Sequence, residues 1–204
     1  MSLDGTYTGL KASLTSWLHR NDMTAVIPDL IVLAEERINR ELRVKDMIVE
    51  ASVNTVAGVQ EITIPTDWLE LENVSITTPV QQLTYVNIEH LDSKYPSDYT
   101  GQPIVYTVEG NEIYFGPTPD AVYPIGLWYY GKPTALASTT GTHTLFNKYP
   151  SLYLFGALSE AAPWMRDDVR IPLWEAKFKE QLKTIQKVDD DATHSGSLMR
   201  VRRI

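Results

Sequence analysis

Ile104-Val105-Tyr106-Thr107-Val108-Glu109-Gly110-Asn111-Glu112-Ile113-Tyr114-Phe115 is the stretch on which the fold turns. Two branched and aromatic runs flank Gly110-Asn111, and a glycine supplies the positive φ of a two-residue turn at little cost. Counting away from that turn sets Val108 opposite Ile113 and Tyr106 opposite Phe115. One face of the hairpin is therefore apolar and needs a second layer to cover it. On the N-terminal side, Asn87 to Tyr95 predicts a short helix with Ile88 and Leu91 on one side. Glu70 to Thr77 and Gln81 to Val86 predict a strand pair around Thr78-Pro79. Ile48 to Thr55 and Val59 to Ile64 predict another hairpin, turned at Ala57-Gly58 and stopped by Pro65, which cannot donate to a ladder. On the C-terminal side, Gly116-Pro117-Thr118-Pro119-Asp120 reads as a loop and Tyr123 to Tyr130 as a further strand.

Both ends of the chain change to helical spacing. Leu10, Leu14, Trp17 and Leu18 recur at three and four, with Thr8 placed to cap the start. After a break at Asn21-Asp22, Pro28 suits the first turn of a second helix and Asp29 its positive dipole end. Ile31, Ala34, Ile38 and Leu42 form its apolar face, widened by Leu30 and Leu33. Glu36 and Arg40 stand four apart on the other face, in the orientation that supports a helix. Near the C-terminus, Pro150 opens a run in which Leu152 to Ala162 is apolar on almost every side, the mark of a buried helix. Pro163 ends or bends it, Asp167-Asp168 reads as a cap region, and Ile171, Trp174, Phe178, Leu182 and Ile185 predict a last helix to about Lys187. The expected class is α+β: a helical body from residues 1–47 and 145–190, an inserted antiparallel strand-rich region at 48–144 with a short helix near 87–95, and a flexible tail at 191–204.

Composition excludes several chemistries. The 204 residues contain no cysteine, so disulfides, thiol nucleophiles and cysteine-ligated metal centres are absent. Neither a signal-peptide pattern at the start nor an apolar run of membrane-spanning length is present, and a soluble protein is expected. The net charge of −8 is unevenly spread: residues 51–144 carry 2 basic and 10 acidic side chains, residues 145–204 carry 10 and 8. An acidic middle repels nucleic acid. The basic exception is the terminal Arg200-Val201-Arg202-Arg203-Ile204. It reads either as a solvated tail with incidental charge, or as a segment that docks on an acidic protein groove or touches a nucleic-acid backbone.

No catalytic constellation emerges. Gly126-Leu127-Trp128-Tyr129-Tyr130-Gly131-Lys132-Pro133 approaches a phosphate-binding loop, but proline stands where the magnesium-binding hydroxyl belongs. Bulky aromatics also stand where small residues must let backbone amides wrap an anion. His19, His90, His143 and His194 are scattered, without metal-ligand spacing. Asp189-Asp190-Asp191 reads as a solvated helix end, and no nucleophile-elbow motif accompanies the serines. The 5 Trp, 11 Tyr and 4 Phe are core material with some left for interfaces; Trp128-Tyr129-Tyr130 on a strand must place aromatics on both faces. A structural or interaction protein is the expectation. A generic protein-binding module, or a nucleotide-binding enzyme resting on Lys132, are the alternatives.

The order of several phrases resembles a group of tailed-bacteriophage head–tail adaptor proteins, also called connector or neck proteins. Tyr7-Thr8-Gly9-Leu10-Lys11 with Trp17-Leu18 resembles their opening, as does Asp22 to Ile31 running into Ala34 to Arg43. Ile64-Pro65-Thr66-Asp67-Trp68-Leu69-Glu70 is similar to their turn before a strand, and Pro150 to Leu158 with Glu160-Ala161-Ala162-Pro163 to their buried helix. Gly116 to Asp120, the later Tyr129-Tyr130, and Ser195-Gly196-Ser197 with the terminal arginines complete the likeness. The resemblance implies a virion protein assembled in the cytoplasm of a bacterial host, a homododecameric ring beneath the portal, with no catalysis and no cofactor. Its implied partners are itself in twelve copies, the portal protein and tail or nozzle proteins. DNA is expected to pass through the channel without specific binding, and no membrane is involved. Arg200, Arg202, Arg203 and Ile204 are the residues expected to dock on the portal or an adjacent subunit.

Overall fold

The computed structural model describes residues 5–138, 143–165 and 169–194. In chain order the elements are α1 (Tyr7–Leu18), α2 (Ile27–Glu41), β1 (Ile48–Asn54), β2 (Glu61–Thr63), β3 (Trp68–Thr77), β4 (Val80–Gln82) and β5 (Thr84–Tyr85). Then come α3 (Ile88–Lys94), β6 (Thr100–Gly101), β7 (Val105–Glu109), β8 (Glu112–Gly116), β9 (Thr118–Pro119) and β10 (Pro124–Gly131). The chain closes with α4 (Thr144–Lys148), α5 (Pro150–Glu160) and α6 (Ile171–His194). Helices from both ends of the chain and strands between them give the α+β architecture read from the sequence. The residues divide into two compact units, Met1–Met47 with Pro133–Ile204 and Ile48–Lys132.

In the helical unit, α1 starts two residues earlier than expected. Thr6, not Thr8, is its cap, and its side chain accepts from the Gly9 amide at 2.9 Å. His19 ends the helix in the left-handed region at φ 54. Leu10, Leu14 and Leu18 are buried, as are Leu30, Ile31, Ala34, Ile38 and Leu42 of the second stripe. Leu33 stays exposed because it sits past the edge of that stripe. The α5 helix packs on α1, α2 and α6, which is why its sequence is apolar all round. Gly156 lets α5 come close to both α2 and α6. A Cβ there would lie 3.1 Å from the Phe178 ring of α6 and 3.2 Å from the Ala34 methyl of α2.

The last helix is longer than its apolar spacing predicts, running through Lys187 to His194. That spacing ends at Ile185, and the acidic run beyond it is one that a helix C-terminus disfavours. Asp189 has a partner that offsets this: its carboxylate accepts the Lys45 backbone N–H at 3.1 and 3.2 Å. Asp167 and Asp168, expected as a cap, lie outside the described residues.

In the strand unit one sheet has the order β1-β10-β3-β4 and a second β2-β8-β7-β5, with β6 and β9 forming a two-stranded ribbon. The β7–β8 hairpin has the register read from its turn, Val108 with Ile113 and Tyr106 with Phe115, and Gly110 has φ 60. The β3–β4 pair turns at Thr78-Pro79, and Asn87 caps the short helix by accepting from the His90 amide at 2.9 Å. The predicted β1–β2 hairpin does not form. Instead β1 pairs antiparallel with β10 from Ile48–Tyr130 to Asn54–Pro124, and β2 pairs with β8. Thr55 directs this divergence. Its amide donates to Tyr123 O at 3.0 Å, and its buried hydroxyl donates to Ala121 O at 3.1 Å while accepting from Tyr123 N at 2.8 Å. The two larger sheets share one core in which Val74, Ile76, Ile125, Leu127 and Tyr129 meet Ile62, Tyr106, Ile113 and Phe115.

Candidate docking surfaces

The polar face of α2 is organised by Arg37. Its guanidinium donates to both carboxylate oxygens of Glu175 on α6 at 2.8 and 2.7 Å, and to Glu41 at 3.0 Å. It also donates to Ser159 at the end of α5 and pairs with Glu160, while lying 4.4 Å over the Phe178 ring. Lys179 adds a second cation to Glu175 at 2.9 Å. The Arg37 hydrogen bonds, followed by that of Lys179, hold the Glu175 carboxyl down at about 2. The sequence expectation of a Glu36–Arg40 pair is replaced by Arg37–Glu41. Arg37 faces acceptors brought in by α5 and α6, whereas Glu36 and Arg40 are exposed. The partners on α5 and α6 lie more than a hundred residues away, so no local spacing announces the cluster.

These groups are spent on holding helices together. The large apolar side chains that the helical unit leaves exposed are scattered: Val32 and Leu33 on α2, Leu173 and Val188 on α6, with Trp164 and Val169. Trp164 borders an open cleft of about 710 Å³ between the ends of α1 and α5, lined also by Leu18, Arg20 and Arg170. Arg20 donates to Trp164 O and Arg170 to Trp17 O, both at 3.1 Å, so each pins the backbone of the opposite rim.

The strand unit has the opposite chemistry. Residues 48–132 carry eleven acidic and two basic side chains. Its aromatics divide as strand geometry requires: Tyr129 is buried with its hydroxyl on Asp67 at 3.0 Å, and Trp128 is exposed beside Glu50 of β1. The phosphate-loop near-miss lies on β10, where residues 126–131 are paired with β3 and, up to Tyr130, with β1. A paired strand has its amides committed to the ladder, so Gly126 and Gly131 are no phosphate cradle. Gly131 serves close packing, since a Cβ there would lie 2.8 Å from a Val49 methyl.

The described histidines each have a different local setting. His19 closes α1, His90 is exposed on α3, and the His194 side chain lies outside the described residues. His143 is buried and caps α4: its Nδ1 accepts from the Phe146 amide at 3.0 Å, and burial lowers its pKa. Among the described residues no group of three metal-ligating side chains gathers, and no helix is long and apolar enough to cross a membrane. Arg200, Arg202, Arg203 and Ile204 lie outside the described residues.

The SU10 adaptor protein family matches residues 5–202, almost the whole chain. The chain belongs to that family. It is a phage head–tail adaptor, a structural and non-catalytic component of the virion whose partners are portal and tail components. A search of the curated proteins finds no match. Family membership accounts for the character of the two units: side chains that would serve a reaction elsewhere here act as caps, clasps and spacers.

Proposed function

We propose that the adaptor forms a ring of twelve copies beneath the portal, joins it to the tail or nozzle proteins, and continues the DNA channel. The match over residues 5–202 is the observation that carries this reading. In it the helical unit forms the ring body and meets the portal, and the strand unit faces the tail or the outside. A closed ring uses one heterologous interface repeated by rotation. The outward apolar side chains Val32, Leu33, Trp164, Leu173 and Val188 are material for such contacts. The acidic balance of residues 48–132 suits a passage that DNA slides through without sticking. Assembly takes place in the cytoplasm of the bacterial host. Arg200, Arg202, Arg203 and Ile204 are docking residues, and the three arginines make charge-assisted hydrogen bonds to carboxylates of the portal or an adjacent subunit.

Electron microscopy of the purified chain mixed with its portal tests the assembly: a coaxial ring of twelve should be added beneath the portal. Complete, infectious virions formed without this protein would overturn the reading. For the docking residues, pull-down on purified portal without DNA should weaken when Arg200, Arg202 and Arg203 are all replaced by alanine. Undiminished binding of that variant would refute a portal-docking role.

A further inference from the structure

Where the chain leaves β4 of the first sheet and enters β5 of the second, an open pocket of about 460 Å³ is lined by Glu72, Asn73, Gln82, Thr84, Tyr85 and Tyr106. Its chemistry is one-sided. The register of β10 on β3 shifts between Trp128–Asn73 and Tyr129–Leu71, leaving Glu72 as the extra, exposed residue of a bulge. Bulges re-aim side chains in this way. Next to it the Asn73 Oδ1 is buried and accepts no hydrogen bond, a state that costs free energy until a donor arrives. Tyr85 is 60% exposed and stands edge-on to Tyr106 with ring centroids 5.7 Å apart. No cationic side chain lines the pocket, in a unit of eleven acidic and two basic residues.

A carboxylate, an unsatisfied carbonyl and an exposed aromatic face together call for a planar cation with several donors. Guanidinium is that group: it stacks on a ring and spreads five N–H donors across separated acceptors, where an ammonium offers a compact point charge. We infer that this pocket receives an arginine side chain from the Arg200-Val201-Arg202-Arg203 segment of a second copy of the chain. The charge balance selects the occupant, since the strand unit is strongly acidic and the last five residues carry three arginines and no acid. Ten residues follow His194, enough for a reach of roughly 33 Å beyond the end of α6 when extended. The inference rests on the self-assembling reading above and assigns the tail its seat on the neighbour.

The probe is a synthetic peptide of residues 195–204, titrated into full-length chain carrying Arg200→Ala, Arg202→Ala and Arg203→Ala so that the pocket is free. Saturable micromolar binding is expected. Glu72→Gln or Tyr85→Ala in the protein should weaken it at least tenfold, as should replacing the peptide's arginines by lysine. Equal affinity for both pocket variants, or no saturation by 1 mM peptide, would overturn the site. The source of the arginine is read by disulfide trapping, which the cysteine-free sequence allows. Mixed Thr84→Cys and Val201→Cys chains should cross-link into dimers. Absence of mixed dimers, with ready closure of a single chain carrying both cysteines, would overturn the second-copy assignment. A normal ring from Tyr85→Ala protein would refute this seat and leave the ring reading standing. Failure of the wild-type ring, with peptide binding intact, would do the reverse.

Discussion

Arg37 of α2 and Glu175 of α6 are joined by two parallel hydrogen bonds of 2.8 and 2.7 Å, and this clasp ties the first half of the helical unit to the last helix of the chain. Both side chains are largely covered, at 15% and 32% accessibility, so the pair is worth more than a surface ion pair. Breaking it by Glu175→Gln leaves Arg37 with weaker acceptors and should cost about 2 kcal/mol after allowance for partial solvation. Urea unfolding at pH 7 measures this. The Glu175 carboxyl is held at about 2, below its ordinary 4.5. Its contribution is therefore complete above the ordinary value and is lost as pH falls from about 4.5 toward 2. Wild type and Glu175→Gln should converge in stability across that window.

A second pH window lies higher. His143 must keep Nδ1 unprotonated to accept from Phe146, and burial lowers its pKa below the ordinary 6.5. The unfolded chain then takes up the proton more readily, so stability falls as pH drops below about 6.5. His143→Asn retains a capping oxygen and removes the titration. The thermal midpoint of the variant should be flatter between pH 7 and 5 than that of the wild type.

Gly156 is kept small by its neighbours. Valine there forces two methyl groups against Phe178 and Ala34 and should destabilise by about 2 kcal/mol. Phe178→Leu in the same chain relieves part of the clash. The double-mutant cycle should show favourable coupling between the two positions in denaturant midpoints. Strict additivity would mean that the α5–α6 approach is looser than 3.1 Å implies.

Thr55 uses its hydroxyl both ways, toward Ala121 O and Tyr123 N, while buried. Thr55→Val preserves the shape but leaves one donor and one acceptor unmet, which should cost about 2 kcal/mol. Amide exchange should speed up first at Tyr123 and at the Asn54 end of β1, and leave the α5 amides unchanged.

Legibility in the sequence followed the distance between partners. The β7–β8 register could be read because two residues at the turn dictate it, and α2 because one stripe from Leu30 to Leu42 repeats at helical spacing. The pairing of Ile48 with Tyr130 could not be read: Ala57-Gly58 offered a nearer turn, and only the folded chain shows Thr55 spending its hydrogen bonds on Tyr123 instead. Arg37 looked like an ordinary surface charge until α5 and α6 supplied its acceptors. The pocket residues Glu72, Asn73 and Tyr85 gave no signal, since a bulge and a strand crossover bring them together. The terminal arginines stood out by charge alone.

The pairing of Ile48 with Tyr130 places the entrance and exit of the strand unit side by side, so its first and last strands share a doorway. The segment between Met47 and Pro133 is thus a cassette whose ends already meet. Such a cassette can be lengthened, shortened or exchanged without asking the flanking helices to close a wider gap, because the joining distance is set by one strand pair whatever lies beyond it. Sequence change can accumulate in these 85 residues while the helical frame keeps its packing.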